Sequence, residues 1–280
     1  MAVDVSPFTV DSGGVELSGE RSGEGPAIVL MHGLTATRRY VVMGSRLLQR
    51  SGVEVISYDA RGHGSSAPAL DHGAYGYEHL ADDLGALLDT LGIERAILAG
   101  ASMGAHTALT FALAHPARVA ALALITPAYD PAAAAGGHDL EHWDALAAGL
   151  RERGVEGFVE ASDMNSLPAA WRETVEKVIR QRLGAHEHPL AVADALEAVP
   201  RSQPFEHIEQ LAKLAVPALV VGSRDEADPG HPLAVAELYA HTLPDAQLVV
   251  EAEGSPIAWQ GGQLSRLLLE LSGRAGGEGP

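Results

Sequence analysis

The segment Gly100–Gly104, with the sequence Gly-Ala-Ser-Met-Gly, constrains the fold of this chain more than any other feature. It follows a short apolar run, Ala96–Ala99, and precedes a stretch of helical character, Ala105–His115. Glycines on both sides of Ser102 allow a tight corner between a strand and a helix, which would hold the serine hydroxyl clear of the sheet. Because the chain contains 31 glycines, the pattern alone is a weak signal, and its weight comes from the strand and the helix around it.

Short apolar runs alternate with longer stretches of helical periodicity along most of the chain. This alternation is typical of a mostly parallel sheet covered by helices, so the sequence predicts an α/β fold. The predicted strands are Phe8–Asp11 and Val15–Ser18, which form an opening hairpin, followed by Ala27–Met31, Val53–Tyr58, Ala96–Ala99, Val119–Ile125, Ala218–Val221 and Gln247–Val250. The predicted helices of this sheet domain lie near Val41–Arg50, Tyr77–Leu91, Ala105–His115, Leu233–Thr242 and Gln263–Leu271.

The alternation stops at Thr126-Pro127. From residue 128 to about 204 there is no strand signal, and helix-prone segments lie around Trp143, Phe158, Trp171–Leu183 and Leu190–Ala198. The sequence therefore predicts a core of residues 1–127 and 205–273, a helical cap of residues 128–204 and a flexible tail of residues 274–280. An insert at this point would cover the carboxyl ends of the strands, where open α/β sheets bind their ligands.

A formal net charge of −18 and the absence of cysteine exclude several classes of function. The negative charge would repel nucleic acid and anionic membranes, so we expect neither as a partner. Without cysteine there are no disulfides, thiolate nucleophiles or cysteine-ligated metals. The segment Met1–Val10 lacks the apolar core of a signal peptide, and no run reaches the about 18 apolar residues of a membrane span. We therefore expect a cytoplasmic protein.

Four motifs occur in the chain in a fixed order, each directly after a predicted strand. They are His32-Gly33, Asp59–Gly64 (Asp-Ala-Arg-Gly-His-Gly), Gly100–Gly104 and Gly222–Asp225 (Gly-Ser-Arg-Asp). In these motifs, and over nearly its whole length, the chain resembles the α/β-hydrolase superfamily, in particular its cap-bearing, esterase-like serine hydrolases. The resemblance implies a mostly parallel eight-stranded sheet with flanking helices and a helical cap insert.

The resemblance also assigns roles at the site. Ser102 would be the nucleophile, and the backbone N–H groups of Leu34 and Met103 would form the oxyanion hole. Fixed donors of this kind are each worth about 3–4 kcal/mol to the transition state. Asp225, at the end of its strand, would be the acid that orients a histidine; the alternative is a carboxylate that caps the following helix.

The chain departs from the family at the catalytic histidine. The family places this residue after the last strand, commonly as Gly-His, whereas this chain has Gly254-Ser255 there. A serine hydroxyl needs a base to become a nucleophile, and Ser255 cannot act as one. The family's pattern makes His32 and His63 structural residues near the oxyanion loop, so the base would have to come from elsewhere.

Four other histidines are candidates for this base. His231 lies on the loop that should face the site, although a loop histidine beside proline can also serve only in packing. His106 lies one turn beyond Ser102 in a helix predicted to pack on the sheet, so we interpret it as structural. His138 and His142 in the predicted cap have the spacing of a metalloprotease motif, but no third ligand is evident, so no metal is predicted.

The sequence therefore predicts a serine hydrolase acting on a small, mostly apolar carboxylic ester, thioester or lactone. Its triad would be incomplete, with Ser102 and Asp225 but no histidine at the usual place. No cofactor is expected, and the partner would be a small-molecule substrate or ligand. Two alternatives remain open: a pseudo-hydrolase that binds a ligand with weak or no activity, and a lyase or isomerase whose oxyanion donors polarise a carbonyl.

Overall fold

A computed structural model of the chain describes residues 4–135, 140–224, 229–251 and 260–277. Within these residues, eight strands form one sheet in the order β1-β2-β4-β3-β5-β6-β7-β8. The strands are β1 (Val5–Ser12), β2 (Val15–Ser22), β3 (Ala27–Met31), β4 (Glu54–Tyr58), β5 (Ala96–Ala101), β6 (Val119–Ile125), β7 (Ala218–Gly222) and β8 (Ala246–Val250).

The sheet is parallel except at one edge. There, β1 and β2 form the predicted antiparallel hairpin, and β2 also runs antiparallel to β4. Among the parallel strands, Met31 of β3 lies beside Gly100 of β5, and Gly222 of β7 lies beside Val250 of β8. The carboxyl ends of these strands therefore lie at the same edge of the sheet, where α/β sheets bind ligands. The predicted fold class, a mostly parallel eight-stranded sheet with flanking helices and a helical insert, is confirmed.

Helices cover both faces of the sheet. Within the described residues they are α1 (Tyr77–Thr90), α2 (Met103–Ala114), α3 (Pro131–Ala135), α4 (Leu140–Ala161), α5 (Ala169–Leu183), α6 (Pro189–Ala198), α7 (Leu233–Thr242) and α8 (Gly261–Ala275). Val29 of β3 packs in one apolar cluster with Leu84 of α1 and Phe111 of α2, whereas Leu30 packs in another with Leu264 of α8. This burial on both faces explains why the strands are continuous apolar runs. None of the helices in the described part of the chain is both long and apolar enough to cross a bilayer.

Helices α3–α6 lie between β6 and β7 in the chain. Side chains of α4 and α6, among them Leu146, Leu150, Val192 and Leu196, form an apolar cluster of their own. Helix α4 is kinked at Gly154, whose φ of 61° lies outside the helical range. A helical insert with its own core is therefore present where the sequence indicated one, while the boundaries of the predicted cap, core and tail stay a prediction.

The helix predicted near Val41–Arg50 is wrong. The segment contains turns and a short 3₁₀ helix at Leu48–Arg50, and Met43 and Gly44 have φ values of 46° and 71°. Two consecutive residues in the left-handed region end any α-helix. The amino end of α8 packs closely against this turn, because a Cβ atom on Gly261 would lie 1.9 Å from the carbonyl oxygen of Val42. Tertiary packing has thus replaced the local helical tendency.

Candidate active site

Ser102 lies at the corner between β5 and α2, with φ 48° and ψ −111°. A residue with a side chain rarely adopts such a conformation. A Cβ atom on Gly100 would lie 2.1 Å from the carbonyl carbon of Gly104, and one on Gly104 would lie 2.3 Å from the carbonyl oxygen of Met31. Both positions therefore require glycine, and together they allow the tight strand-turn-helix corner inferred from the sequence.

His231, on the loop between β7 and α7, contacts Ser102. Its Nε2 lies 2.8 Å from the Oγ of Ser102, and both residues are half-buried. A neutral imidazole protonated on Nδ1 can accept the serine hydroxyl proton at Nε2. The fold thus brings a serine hydroxyl and an imidazole nitrogen within hydrogen-bond distance, with the histidine on the loop after β7.

The other candidate histidines have different surroundings. His106 is buried in α2, where its Nδ1 lies 3.1 Å from the hydroxyl of Tyr77 and its Nε2 accepts from the N–H groups of Ala128 and Tyr129 at 3.2 Å each. Burial lowers the pKa of His106 to about 3, so this ring stays neutral. His106 is buried as predicted, and its interpretation as a structural residue stays a prediction. His142 is exposed on α4.

Three residues singled out in the sequence, His138, Asp225 and Ser255, lie outside the described residues. The role of Asp225 as the acid therefore stays a prediction. Within the described ranges, no group of three or more His, Cys, Asp or Glu side chains is arranged to hold a metal ion.

Leu34 and Met103 lie on the two backbone segments that meet at Ser102. Met103 is the first residue of α2, and N–H groups in the first turn of a helix lack intrahelical acceptors. Leu34 follows Gly33 on the loop after β3, and a Cβ atom on Gly33 would lie 3.5 Å from the Cβ of Ser102. This close approach puts the loop that carries Leu34 beside Ser102, as the predicted oxyanion hole requires, and the roles of Leu34 and Met103 stay predictions.

His32 and His63 support the loops around the site. His32 is buried, its Nδ1–H donates to the carbonyl oxygen of Gly33 at 2.8 Å, and its Nε2 accepts from the N–H of Ala60 at 2.9 Å. Burial lowers its pKa to about 3 and also lowers the pKa of His63, which donates from Nδ1 to the carbonyl oxygen of Arg61. Both residues are buried as the sequence analysis expected, and their interpretation as structural residues stays a prediction.

Sequence reasoning missed three polar residues at this edge of the sheet. Glu251, directly after β8, is buried and accepts hydrogen bonds at Oε1 from the Ser223 hydroxyl (2.5 Å) and the Arg224 N–H (2.7 Å). Arg182 and His186 of the insert bind the loop after β3. A charged residue directly after an apolar strand was a usable signal for Glu251. No local pattern indicated the contacts that Arg182 and His186 make, because their partners lie far away in sequence.

The parallel sheet, the strained serine corner and the adjacent histidine together define an α/β-hydrolase architecture. The chain belongs to the α/β hydrolase fold family, whose model matches residues 26–258.

Its relatives include proteins with hydrolase names. Over 213 residues it is 32% identical to a protein of Variovorax paradoxus (strain S110) provisionally named carbamate hydrolase RutD, covering 76% of this chain and 77% of the relative. Among solved structures, the enol-lactonase from Burkholderia xenovorans LB400 has a TM-score of 0.76 at 25% identity, covering 95% of this chain and 99% of that one. A thermophilic esterase from Thermogutta terrifontis has a TM-score of 0.75 at 25% identity, covering 96% and 99%. The comparisons support hydrolase activity of the α/β-hydrolase class.

Proposed function

We propose that the protein is a serine hydrolase that cleaves a small, mostly apolar carboxylic ester, thioester or lactone. The observation that carries the proposal is the 2.8 Å contact between the Oγ of Ser102 and the Nε2 of His231. A serine on a strained corner with an imidazole at hydrogen-bond distance is the arrangement that nucleophilic acyl transfer needs. The same contact argues against a pseudo-hydrolase that has lost its base.

In this proposal Ser102 attacks the carbonyl carbon of the substrate while His231 takes the hydroxyl proton at Nε2. The negative charge moves to the carbonyl oxygen, which the N–H groups of Leu34 and Met103 stabilise. The C–O or C–S bond to the leaving group then breaks, and His231 returns the proton to that group. A water molecule, deprotonated by His231, hydrolyses the acyl-enzyme and restores Ser102.

Asp225 is the proposed acid, on the loop that also carries His231. A carboxylate that accepts from Nδ1–H would fix the tautomer that leaves Nε2 free to act as a base. Asp228, three residues before His231, serves as the control position for Asp225. We expect Asp225→Asn to lower kcat by about 10⁴-fold, as loss of the orienting acid does in serine proteases, and Asp228→Asn to leave most of the activity. The reverse result would reassign the acid to Asp228.

The apolar surface beside Leu34, on the loop that follows β3, supports an apolar substrate. The side chain of Leu34 packs against the apolar cluster within the insert and against a second cluster that contains Tyr75, Met103 and Ala191. An acyl group bound next to Leu34 would therefore meet hydrocarbon. The names of the relatives cover lactone, ester and carbamate hydrolysis, so a carbamate belongs in the substrate panel as the competing class.

The direct test compares Ser102→Ala and His231→Ala with the wild type. We expect a fluorophosphonate probe to label the wild type and not Ser102→Ala, and His231→Ala to slow p-nitrophenyl ester turnover by about 10²–10⁴-fold. His142→Ala, an exposed histidine of the insert, is the matched control and should keep full activity.

Two results would overturn the proposal in different ways. Absence of labelling and of turnover, with ligands that raise the melting temperature unconsumed, would favour the binding protein. Turnover that persists in Ser102→Ala would favour the carbonyl-polarising lyase or isomerase.

A further inference from the structure

Arg182, in the last turn of α5, binds the loop that follows β3. Its Nη2 donates to the carbonyl oxygen of Leu34 at 2.8 Å and to the Oγ1 of Thr35 at 2.7 Å. Helix α5 belongs to the insert, and 148 positions separate Arg182 from Leu34 in the sequence. The guanidinium therefore joins the insert to the loop of the core that lies beside Ser102.

His186, just beyond α5, binds the same loop and a second one. Its Nε2–H donates to the carbonyl oxygen of Thr35 at 3.0 Å, and its Nδ1 accepts from the N–H of Gly64 at 2.8 Å. The N–H of Glu187 also donates to the carbonyl oxygen of Gly64 at 2.9 Å. One neutral tautomer satisfies both bonds of the ring, so His186 holds the two loops in a fixed geometry.

The loop bound in this way has a conformation that needs support. Thr35 has a φ of 65°, a value that a β-branched residue rarely adopts. The insert binds the two carbonyl groups at this position, those of Leu34 and Thr35, together with the Thr35 hydroxyl. Strained backbone persists only where its surroundings over-determine it, and here the surroundings come from the insert.

We infer that Arg182 and His186 are positioning residues, which hold the N–H of Leu34 where the substrate oxyanion forms. The inference rests on the proposed function, because it takes Leu34 as an oxyanion donor. It gives the insert a part in turnover beyond covering the site. An error of about 1 Å in such a donor can cost on the order of 100-fold in rate.

The test is Arg182→Gln, with Arg180→Gln as the matched control. Arg180 lies on the same helix and pairs with Glu156 and Glu176. Both variants lose one positive charge from α5, but only Arg182→Gln loses the contact with the loop that follows β3. We expect Arg182→Gln to lower kcat by about 10–100-fold with KM within about twofold, and Arg180→Gln to match the wild type. The pH midpoint of kcat/KM should not move, because His231 is untouched.

Hydrogen exchange gives a readout that does not depend on activity. In Arg182→Gln we expect faster amide exchange in residues 33–37 than in Arg180→Gln, with α2 unchanged. Arg182→Lys, which keeps the positive charge but lacks the planar guanidinium, should give an intermediate kcat and serves if Arg182→Gln fails to fold.

The outcomes separate this inference from the proposed function. If the wild type is active, the inference is overturned when Arg182→Gln loses no more kcat than Arg180→Gln, or when its amide exchange in residues 33–37 is no faster. An inactive wild type would refute the proposed function. In that case, faster exchange in residues 33–37 of Arg182→Gln would still show that the insert fixes the loop after β3. Unchanged exchange would overturn this part of the inference as well.

Discussion

Gly104, in the first turn of α2, is the residue on which the serine corner depends most directly. A Cβ atom there would lie 2.3 Å from the carbonyl oxygen of Met31, which is backbone of β3 and cannot rotate away. We expect Gly104→Ala to destabilise the fold by about 1–3 kcal/mol and to abolish fluorophosphonate labelling of Ser102, because helix and strand must separate. Urea unfolding and labelling rates measure the two effects.

Gly85→Ala is the matched control for this prediction. Gly85 lies within α1, where a Cβ atom would meet only Phe111 at an ordinary 3.6 Å. Alanine should therefore stabilise α1 by up to about 1 kcal/mol through its higher helix propensity. Equal stability changes in the two variants would contradict the role given to Gly104.

The residues of the site differ in how far the sequence could predict them. The corner at Ser102 was predictable, because its glycines lie within two positions of it and their close approach is a local requirement. The contact between Ser102 and His231 joins residues 129 positions apart and depends on the path of the loop between β7 and α7. Loop paths are set by tertiary packing, so the sequence could name His231 only as one of four candidates.

At the scale of secondary-structure elements, Glu251 joins the ends of β7 and β8. Its carboxylate accepts from the Ser223 hydroxyl and the Arg224 N–H at the start of the segment that leads to His231. Glu251→Ala removes this buried acceptor, so we expect a loss of about 1–3 kcal/mol of stability. Fluorophosphonate labelling should slow about tenfold as the position of His231 loosens.

Glu251→Gln is the variant that tests the cause. Its amide oxygen can still accept both hydrogen bonds, so stability and labelling should stay close to wild type. If the glutamine variant were as impaired as the alanine variant, the charge of Glu251 would matter more than its acceptor role.

Elements with strong local sequence patterns were predicted closely, whereas one predicted helix of the sheet domain is absent for a physical reason. Val119–Ile125 and Leu233–Thr242 occur with the predicted bounds, because one is a fully apolar strand and the other an apolar helix beginning after Pro232. The helix near Val41–Arg50 failed because α8 packs against its backbone at Val42, more than two hundred positions away in the chain. Such a contact leaves no trace in the local pattern.

At the scale of the whole molecule, several histidines are buried without charge, and their titration couples stability to pH. Burial lowers the pKa values of His32 and His106 to about 3, and it lowers those of His63 and His186 as well. In the unfolded chain these rings titrate near about 6.5. Below that pH the unfolded chain binds protons that the folded protein does not, so the free energy of unfolding falls as the pH is lowered from about 6.5 towards 3.

Replacing one buried histidine isolates its contribution to the pH dependence of the free energy of unfolding. Each buried neutral histidine adds up to about 1.4 kcal/mol per pH unit to the slope of stability against pH. His106→Gln should be less stable than wild type at pH 7, because it loses the bonds to Tyr77 and to the N–H groups of Ala128 and Tyr129. Between pH 6 and 4 its slope should be smaller by about one proton, since glutamine does not titrate. Urea unfolding at half-unit pH steps measures both slopes, and parallel curves for the two proteins would show that His106 is charged in the folded state.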